Sequence, residues 1–246
     1  MLLTQLRYDL MMFSREIFYL VFSLIIPPVT YVFMGQLFGE NSYAGGLSYA
    51  ETYTPSFILL ITFSVIFLAF GFEQVLNRSS GVEKRVLLSP VPKKVLLVSS
   101  ILKSTIITSF GYFMIQLLGI LIYDVPFHFL GFLVSYIFFI LLNAILLIIA
   151  SAVYSLFQDM KNALIFSIVL FQVVMFTGDF ALPIQMMPKF IQIIAHLNPL
   201  YHMNHLFIDI WNNQVHFHTD TFLSIGYILI LVIISYFIIQ IKKKPV

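Results

Sequence analysis

The chain has 246 residues, of which 60% are hydrophobic and only 10% charged, with a net charge of +2. Those proportions exclude a soluble domain and describe an integral membrane protein, in which the placement of the positive residues matters more than their sum. There is no cysteine, so disulfides and thiolate metal sites are excluded outright.

In chain order, Leu3, Leu6, Leu10, Phe13 and Ile17 recur every three or four positions while Arg7, Asp9, Arg15 and Glu16 take the remaining surface. Residues 1–16 therefore read as an amphipathic helix lying on the membrane. The apolar stretch 17–38 is long enough to span and has no small-residue cleavage site, which separates it from a signal peptide. Pro27 and Pro28 near its middle are expected to kink it. Residues 39–54 are polar and acidic without Lys or Arg, and are expected outside. The second span is read as 55–76, with Pro55 in its first turn and Glu73 about one turn from its far end, either at cytoplasmic headgroup level or as a carboxylate facing the bundle interior.

Next comes NRSSGVEKRVLLSPVPKK, residues 77–94, with six charged side chains in a charge-poor protein. It must lie in water. Ser80 and Glu83 have the S-x-x-E spacing of a capping box, in which each residue satisfies a backbone N–H at the start of a helix. Val82 and Val86 share a face four residues on, and Pro90 denies the chain its next helical N–H. A short basic helix over about 79–89 is suited to dock in a partner's groove, whereas the plainer reading is a solvated loop.

Further spans are read over 95–123, 127–154, 163–177 and 221–241, giving six. Lys103 in the third lies within snorkelling range of the cytoplasmic surface. Gln116, Asn143 and Gln172 are amides within the spans, and each could either tie helices together or line a path. Between the fifth and sixth spans, Pro188 opens an apolar helical pattern that Asn198-Pro199 stops, and a second helical stretch follows to Trp211. Neither is long enough to cross, so short outer helices over about 183–211 are expected to lie in or dip into the outer leaflet. With this topology every Lys and Arg except Lys189 falls on one side, which places both termini in the cytoplasm.

No G-x-x-x-x-G-K-[ST] phosphate loop occurs, so any ATP must be hydrolysed elsewhere. His202 and His205 stand three apart on the outer side. A zinc site would need three or four ligands in register, and histidines beside water are the ordinary reading. There is no G-x-S-x-G elbow and no convergent set of acids and bases within the spans, which disfavours an intramembrane enzyme.

The basic helix SGVEKRVLLSPVPKK after the second span, and the long TGDFALPIQMMPKFIQIIAHLNPLYHMNHLF before the last, resemble the ABC-2 class of ATP-binding-cassette exporter permeases over nearly the whole chain. The late motif of Gly178, Pro183, Pro188, Asn198, Pro199 and Tyr201 carries the likeness furthest. The resemblance implies an all-α membrane protein with an interfacial helix over 1–16 and a six-helix domain over 17–246. It also implies a cytoplasmic coupling helix and re-entrant outer helices before the last span. Glu83 and Arg85 match the acidic and basic positions of the family's coupling helix, flanked here by Lys84 and Val86, and Ser89-Pro90 matches its terminating pair. Val86-Leu87 stand where many members have Gly-Thr, and Tyr201 where many have Thr.

By the same resemblance, the chain itself binds no cofactor, Mg-ATP belongs to a separate ATP-binding subunit present in two copies, and a second permease, identical or similar, completes the path. The expected setting is a bacterial cell membrane, with no nucleic-acid partner. The expected cargo is a hydrophobic or amphipathic substance, such as a drug, lipid-linked glycan, peptide or haem-like molecule, moved outward as in drug efflux. The alternative is an ATP-independent channel or secondary transporter, for which more intramembrane charge or an internal repeat would be expected.

The charge asymmetry yields a direct test in this cysteine-free chain. A single cysteine at Asn213 should react with an impermeant thiol reagent in intact cells and one at Lys84 should not; the reverse pattern overturns the topology.

Overall fold

The structure is a computed structural model that describes residues 2–39, 46–82, 85, 92–180, 183–214 and 219–243. Among these the regular elements are all helical, and six helices are long and apolar enough to cross a membrane. The fold is therefore the expected all-α bundle of six spans. We number the α-helices α1 (Leu2–Arg15), α2 (Ile17–Leu20), α3 (Ile26–Phe38), α4 (Tyr49–Ser64), α5 (Phe72–Ser79), α6 (Lys93–Tyr123), α7 (Phe129–Tyr154), α8 (Met160–Thr177), α9 (Lys189–Leu197), α10 (Pro199–Trp211) and α11 (Thr219–Lys243).

The first span is not uniform. Its prolines sit in the first turns of α3, and a π-helical turn, Val21–Ile25, precedes them. Proline supplies no N–H to the carbonyl four residues back, so the ladder must re-register, and here it widens into the π-turn rather than breaking.

The second span starts six residues earlier than its proline suggests. Ser48 accepts from the Glu51 N–H at 3.2 Å while the Glu51 carboxylate accepts from the Ser48 N–H at 2.7 Å, so a complete capping box starts α4 at Tyr49. Pro55 consequently lies inside the helix, correcting its expected place in the first turn, and residues 49–54 are helical instead of loop. The same S-x-x-E spacing identified at Ser80 is realised at Ser48. The span then passes through a π-helical stretch, Val65–Gly71, and ends in α5.

This second span is the hub. Of its most apolar window 89% is buried, against 11% for the sixth span. It packs against the first, third, fourth and fifth spans and against α10. Its enclosure rests on close approaches as well as apolar area. Thr54 bonds the Tyr31 hydroxyl at 2.8 Å, and Thr54, Thr62 and Ser64 each turn their hydroxyls back onto the carbonyl one turn earlier. α1 lies along the third span, where the Ser99 hydroxyl donates to Asp9 at 2.6 Å and Asp9 also accepts from Gln5 at 2.8 Å.

The remaining span ends fall within three residues of the sequence reading. The fifth begins earlier, at Met160, because Asp159 caps it by accepting from the Asn162 N–H at 3.0 Å. The third closes on Asp124, which adopts φ 52°.

Two helical glycines make opposite predictions. A Cβ on Gly71 would stand 2.3 Å from the ring of buried Tyr154, whereas one on Gly226 meets nothing within 4 Å. Gly71→Ala should lower the melting temperature in detergent, by the roughly 1–3 kcal/mol that overpacking costs. Gly226→Ala should hold or raise it, since alanine favours a helix over glycine by up to about 1 kcal/mol. Equal melting temperatures would contradict the packing at Tyr154.

Candidate functional site

Two polar assemblies interrupt the apolar bundle, one at each end of the second span. The first surrounds α5, which leads into the basic segment. Arg78 donates through Nη2 to the Tyr154 carbonyl at 2.6 Å, through Nη1 to the Ser155 carbonyl at 3.2 Å, and through Nε to the Gln74 carbonyl at 3.1 Å. The first two acceptors lie at the C-terminal end of α7, where carbonyls lack intrahelical partners and the helix dipole favours a cation. One turn back, Gln74 Nε2 donates to the Ser151 hydroxyl at 3.1 Å.

Lys103 Nζ meets Glu73 Oε2 at 2.5 Å across the second and third spans, with the lysine side chain only 9% exposed. Lys103, expected within snorkelling range of the surface, is held by Glu73, whose side chain keeps 36% exposure. The buried ammonium is thus balanced by a carboxylate that water still reaches.

Beyond Ser79 the chain turns sharply. Ser80 serves the helix it ends, its hydroxyl donating to the Leu76 carbonyl at 2.6 Å, and Gly81 takes φ +71°, a conformation that suits glycine. Arg85 is exposed and helical, its N–H bonding the Gly81 carbonyl at 3.2 Å and its Nη2 the Ser80 carbonyl at 3.1 Å. Glu83, Lys84, Val86 and Pro90, and with them the expected Ser80–Glu83 box, lie outside the described residues.

The second assembly gathers at the far end, around Asp179. This carboxylate is 5% exposed and sits at φ 55° just after α8. Its Oδ1 accepts from the Ile184 N–H at 3.0 Å and, at 3.5 Å, from the Tyr53 hydroxyl. Its Oδ2 lies 3.1 Å from His205 Nε2, an ion pair when the imidazole is protonated, although that nitrogen makes no aligned hydrogen bond. Asn204 Nδ2 donates to the Gly178 and Asp179 carbonyls at 3.1 and 2.6 Å.

The late motif surrounds this pin. Gly178 caps α8, with its Cβ position only 2.2 Å from the Phe180 ring. Pro183 is buried and opens the short 3-10 turn Ile184–Met186, and Pro188 opens α9. Asn198 accepts from the Leu200 N–H at 3.0 Å, capping α10, and donates to Thr177 at 2.9 Å. Pro199 follows in the first turn, where its missing N–H is not needed. Tyr201 packs against His205 with ring centroids 4.4 Å apart and planes tilted by 54°, and burial, with Asp179 and Asp220 nearby, pushes its phenol pKa up. His202 turns away to Ser224 and to the His196 carbonyl, each at 2.9 Å.

The three amides within the spans do not converge. Asn143 is buried and exchanges 3.1 Å hydrogen bonds with Thr105 and Thr108 of α6, joining the third and fourth spans. Gln116 is nearly buried in α6, and Gln172 is exposed on α8.

Residues 2–211 match the family model of ABC-2 type transporters. The chain belongs to the ABC-2 type transporter family. It is thus a multi-pass membrane protein and the permease part of a transporter. Within this ABC-2 protein the matched region takes in both polar assemblies and stops at the last residue of α10. The comparison with curated proteins gave no match. Asp179, Asn204 and Arg78, which bond across elements, were not marked by spacing. The available signal was a carboxylate or guanidinium at the end of an apolar span, where an unpaired charge is costly.

Asp179 can be tested as the pin of the far end. Asp179→Ala should cost about 1–3 kcal/mol, because the Ile184 N–H is left buried without its acceptor. Asp179→Asn should cost less, since asparagine tolerates the left-handed backbone and keeps one acceptor. Thermal unfolding in detergent gives the ranking, and equal losses would remove Asp179 from that role.

Proposed function

We propose that this ABC-2 permease is the membrane half of an ATP-driven exporter. It works as a pair, a homodimer or a heterodimer with a similar permease, joined to two copies of an ATP-binding subunit that carries the Mg-ATP. Both termini and residues 77–94 face the cytoplasm of a bacterial cell, and the cargo is a hydrophobic or amphipathic molecule moved outward.

The observation that carries the reading is the family match, which spans the segment between the second and third spans. Two features add support. Arg85 is exposed and helical within that segment, and its side chain bonds the nearby Ser80 carbonyl rather than another span. The helix from which the segment emerges is fastened by Arg78 to the end of the fourth span, which gives a docked subunit something firm to push on. An amphipathic cargo suits a permease whose fifth span leaves Ile168, Val173 and Phe176 exposed along the same helix as exposed Gln172.

Purification from native membranes in mild detergent tests the partnership: an ATP-binding subunit should be retained, and a solitary chain active in liposomes without ATP would overturn it. Within the retained complex, Arg85→Ala and Glu83→Gln should leave the melting temperature of the permease within about 0.5 kcal/mol in stability. ATPase retention or ATP turnover should drop about tenfold, as expected for loss of a charge-assisted contact. Unchanged coupling in both variants would free these charges of the role.

A further inference from the structure

Three of the polar side chains of α5 point to two neighbours. Gln74 and Arg78, one turn apart, face the fourth span, and Glu73, roughly 100° around the helix, faces the third. They lie in α5, whose last residues open the basic segment 77–94, and Lys103 belongs to the helix with which that segment ends. Resting on the reading of the chain as an ATP-driven permease, we propose that Glu73, Gln74 and Arg78 are positioning residues. They make α5, and the segment that leaves it, move as one body with the third and fourth spans, while the π-helical stretch Val65–Gly71 is where the second span yields.

The argument is a comparison of bond types along one span. Around α5 the contacts are directional and costly to break. Lys103 is buried while Glu73 is 36% exposed, so removing Glu73 takes away the acceptor that holds a largely buried ammonium. Arg78 occupies the Tyr154 and Ser155 carbonyls at a helix end, the first of them shared with a 3.3 Å bond from the Phe157 N–H. One turn higher the character changes. Phe67 packs on Phe63 and on the Tyr154 ring, with centroids 4.7 and 6.0 Å apart, contacts that depend weakly on angle and tolerate sliding. The backbone there is π-helical, with its hydrogen-bond register already relaxed from the α-helical one, a form that recurs at functional positions. The π-turn Val21–Ile25 of the first span packs against this same stretch, so the two irregular segments adjoin. Stiffness lies below and compliance above. A push on residues 80–92 would thus be delivered to three spans together.

The absence of cysteine lets this be measured. Spin labels at Val82 and Leu156, both exposed, report across the clamp, and labels at Val82 and Leu37 report across the π-helical stretch. In the complex with its ATP-binding subunits, the Val82–Leu156 distance should be narrow and the same with and without ADP-vanadate, while the Val82–Leu37 distance should shift. In the permease alone, Arg78→Gln and Glu73→Gln should broaden the Val82–Leu156 distribution. In the complex, the same variants should keep the ATP-binding subunit bound yet lower ATP turnover about tenfold. Arg78→Lys, which keeps the charge but not the forked donors, should recover only part of it.

A merely structural role would lower melting temperature and subunit retention together and leave turnover per retained complex unchanged. The proposal is overturned if the Val82–Leu156 distance shifts with ADP-vanadate as much as Val82–Leu37, or if the variants leave it as narrow as before. Should no ATP-binding subunit be retained, the exporter reading fails, and the widths measured on the permease alone still decide the clamp.

Discussion

A polar group inside hydrocarbon has no water to turn to, and the second span carries several such groups although it is the most enclosed of the six. Thr54, Thr62 and Ser64 bond back along their own helix, Tyr53 reaches Asp179, and Glu73, Gln74 and Arg78 reach the third and fourth spans. Each needs a partner within the protein, so neighbours must close around this helix on nearly every side. That requirement sets the order of the bundle: the first, third, fourth and fifth spans and α10 are placed where the second span needs cover.

The two ends of that helix are secured by different chemistry. At the Arg78 end the bonds join span to span through long side chains, and they hold a segment that leaves the bundle. At the other end a single buried carboxylate, Asp179, organises backbone: it fixes the turn after α8 through the Ile184 N–H, and Asn204 bonds the carbonyls on either side. Two short helices that could not stand alone are thereby held against the bundle, each begun by a proline placed where no N–H is required. The motif Gly178, Pro183, Pro188, Asn198 and Pro199 is accordingly a set of backbone instructions, and the chemistry between them belongs to Asp179, Asn204 and His205.

Much of this was legible in the sequence because it depends on length, periodicity or proline. The six spans, the starts of α9 and α10 and the end of the third span are of that kind. One local signal points elsewhere than it first suggests: Pro55 suggests a helix start, while the stronger signal is Ser48 with Glu51, in a polar stretch that resembles loop. The irregularity expected at Pro27 and Pro28 takes the form of a π-turn just before them. The rest was not legible for a simple reason: Glu73 and Lys103 are 30 positions apart, Arg78 and Tyr154 are 76 apart, and Tyr53 and Asp179 are 126 apart. No periodicity encodes which distant residues will meet. Asn143 shows the same limit from the other side, since its sequence left open a path or a tie, and Thr105 and Thr108 supply the tie.

The unequal lengths of the spans bear on the bilayer itself. The first and fifth spans are 18 residues each, and the third is 30, or about 27 Å against about 45 Å at about 1.5 Å per residue. A hydrocarbon layer of about 30 Å is a little too thick for the short helices and far too thin for the long one. Lipid beside the first and fifth spans is drawn inward to match them, and the third span must tilt or stand out into the headgroups. Unequal spans of this kind set a mismatch that bilayer and helices must share, by thinning, thickening or tilt, before any nucleotide or cargo arrives.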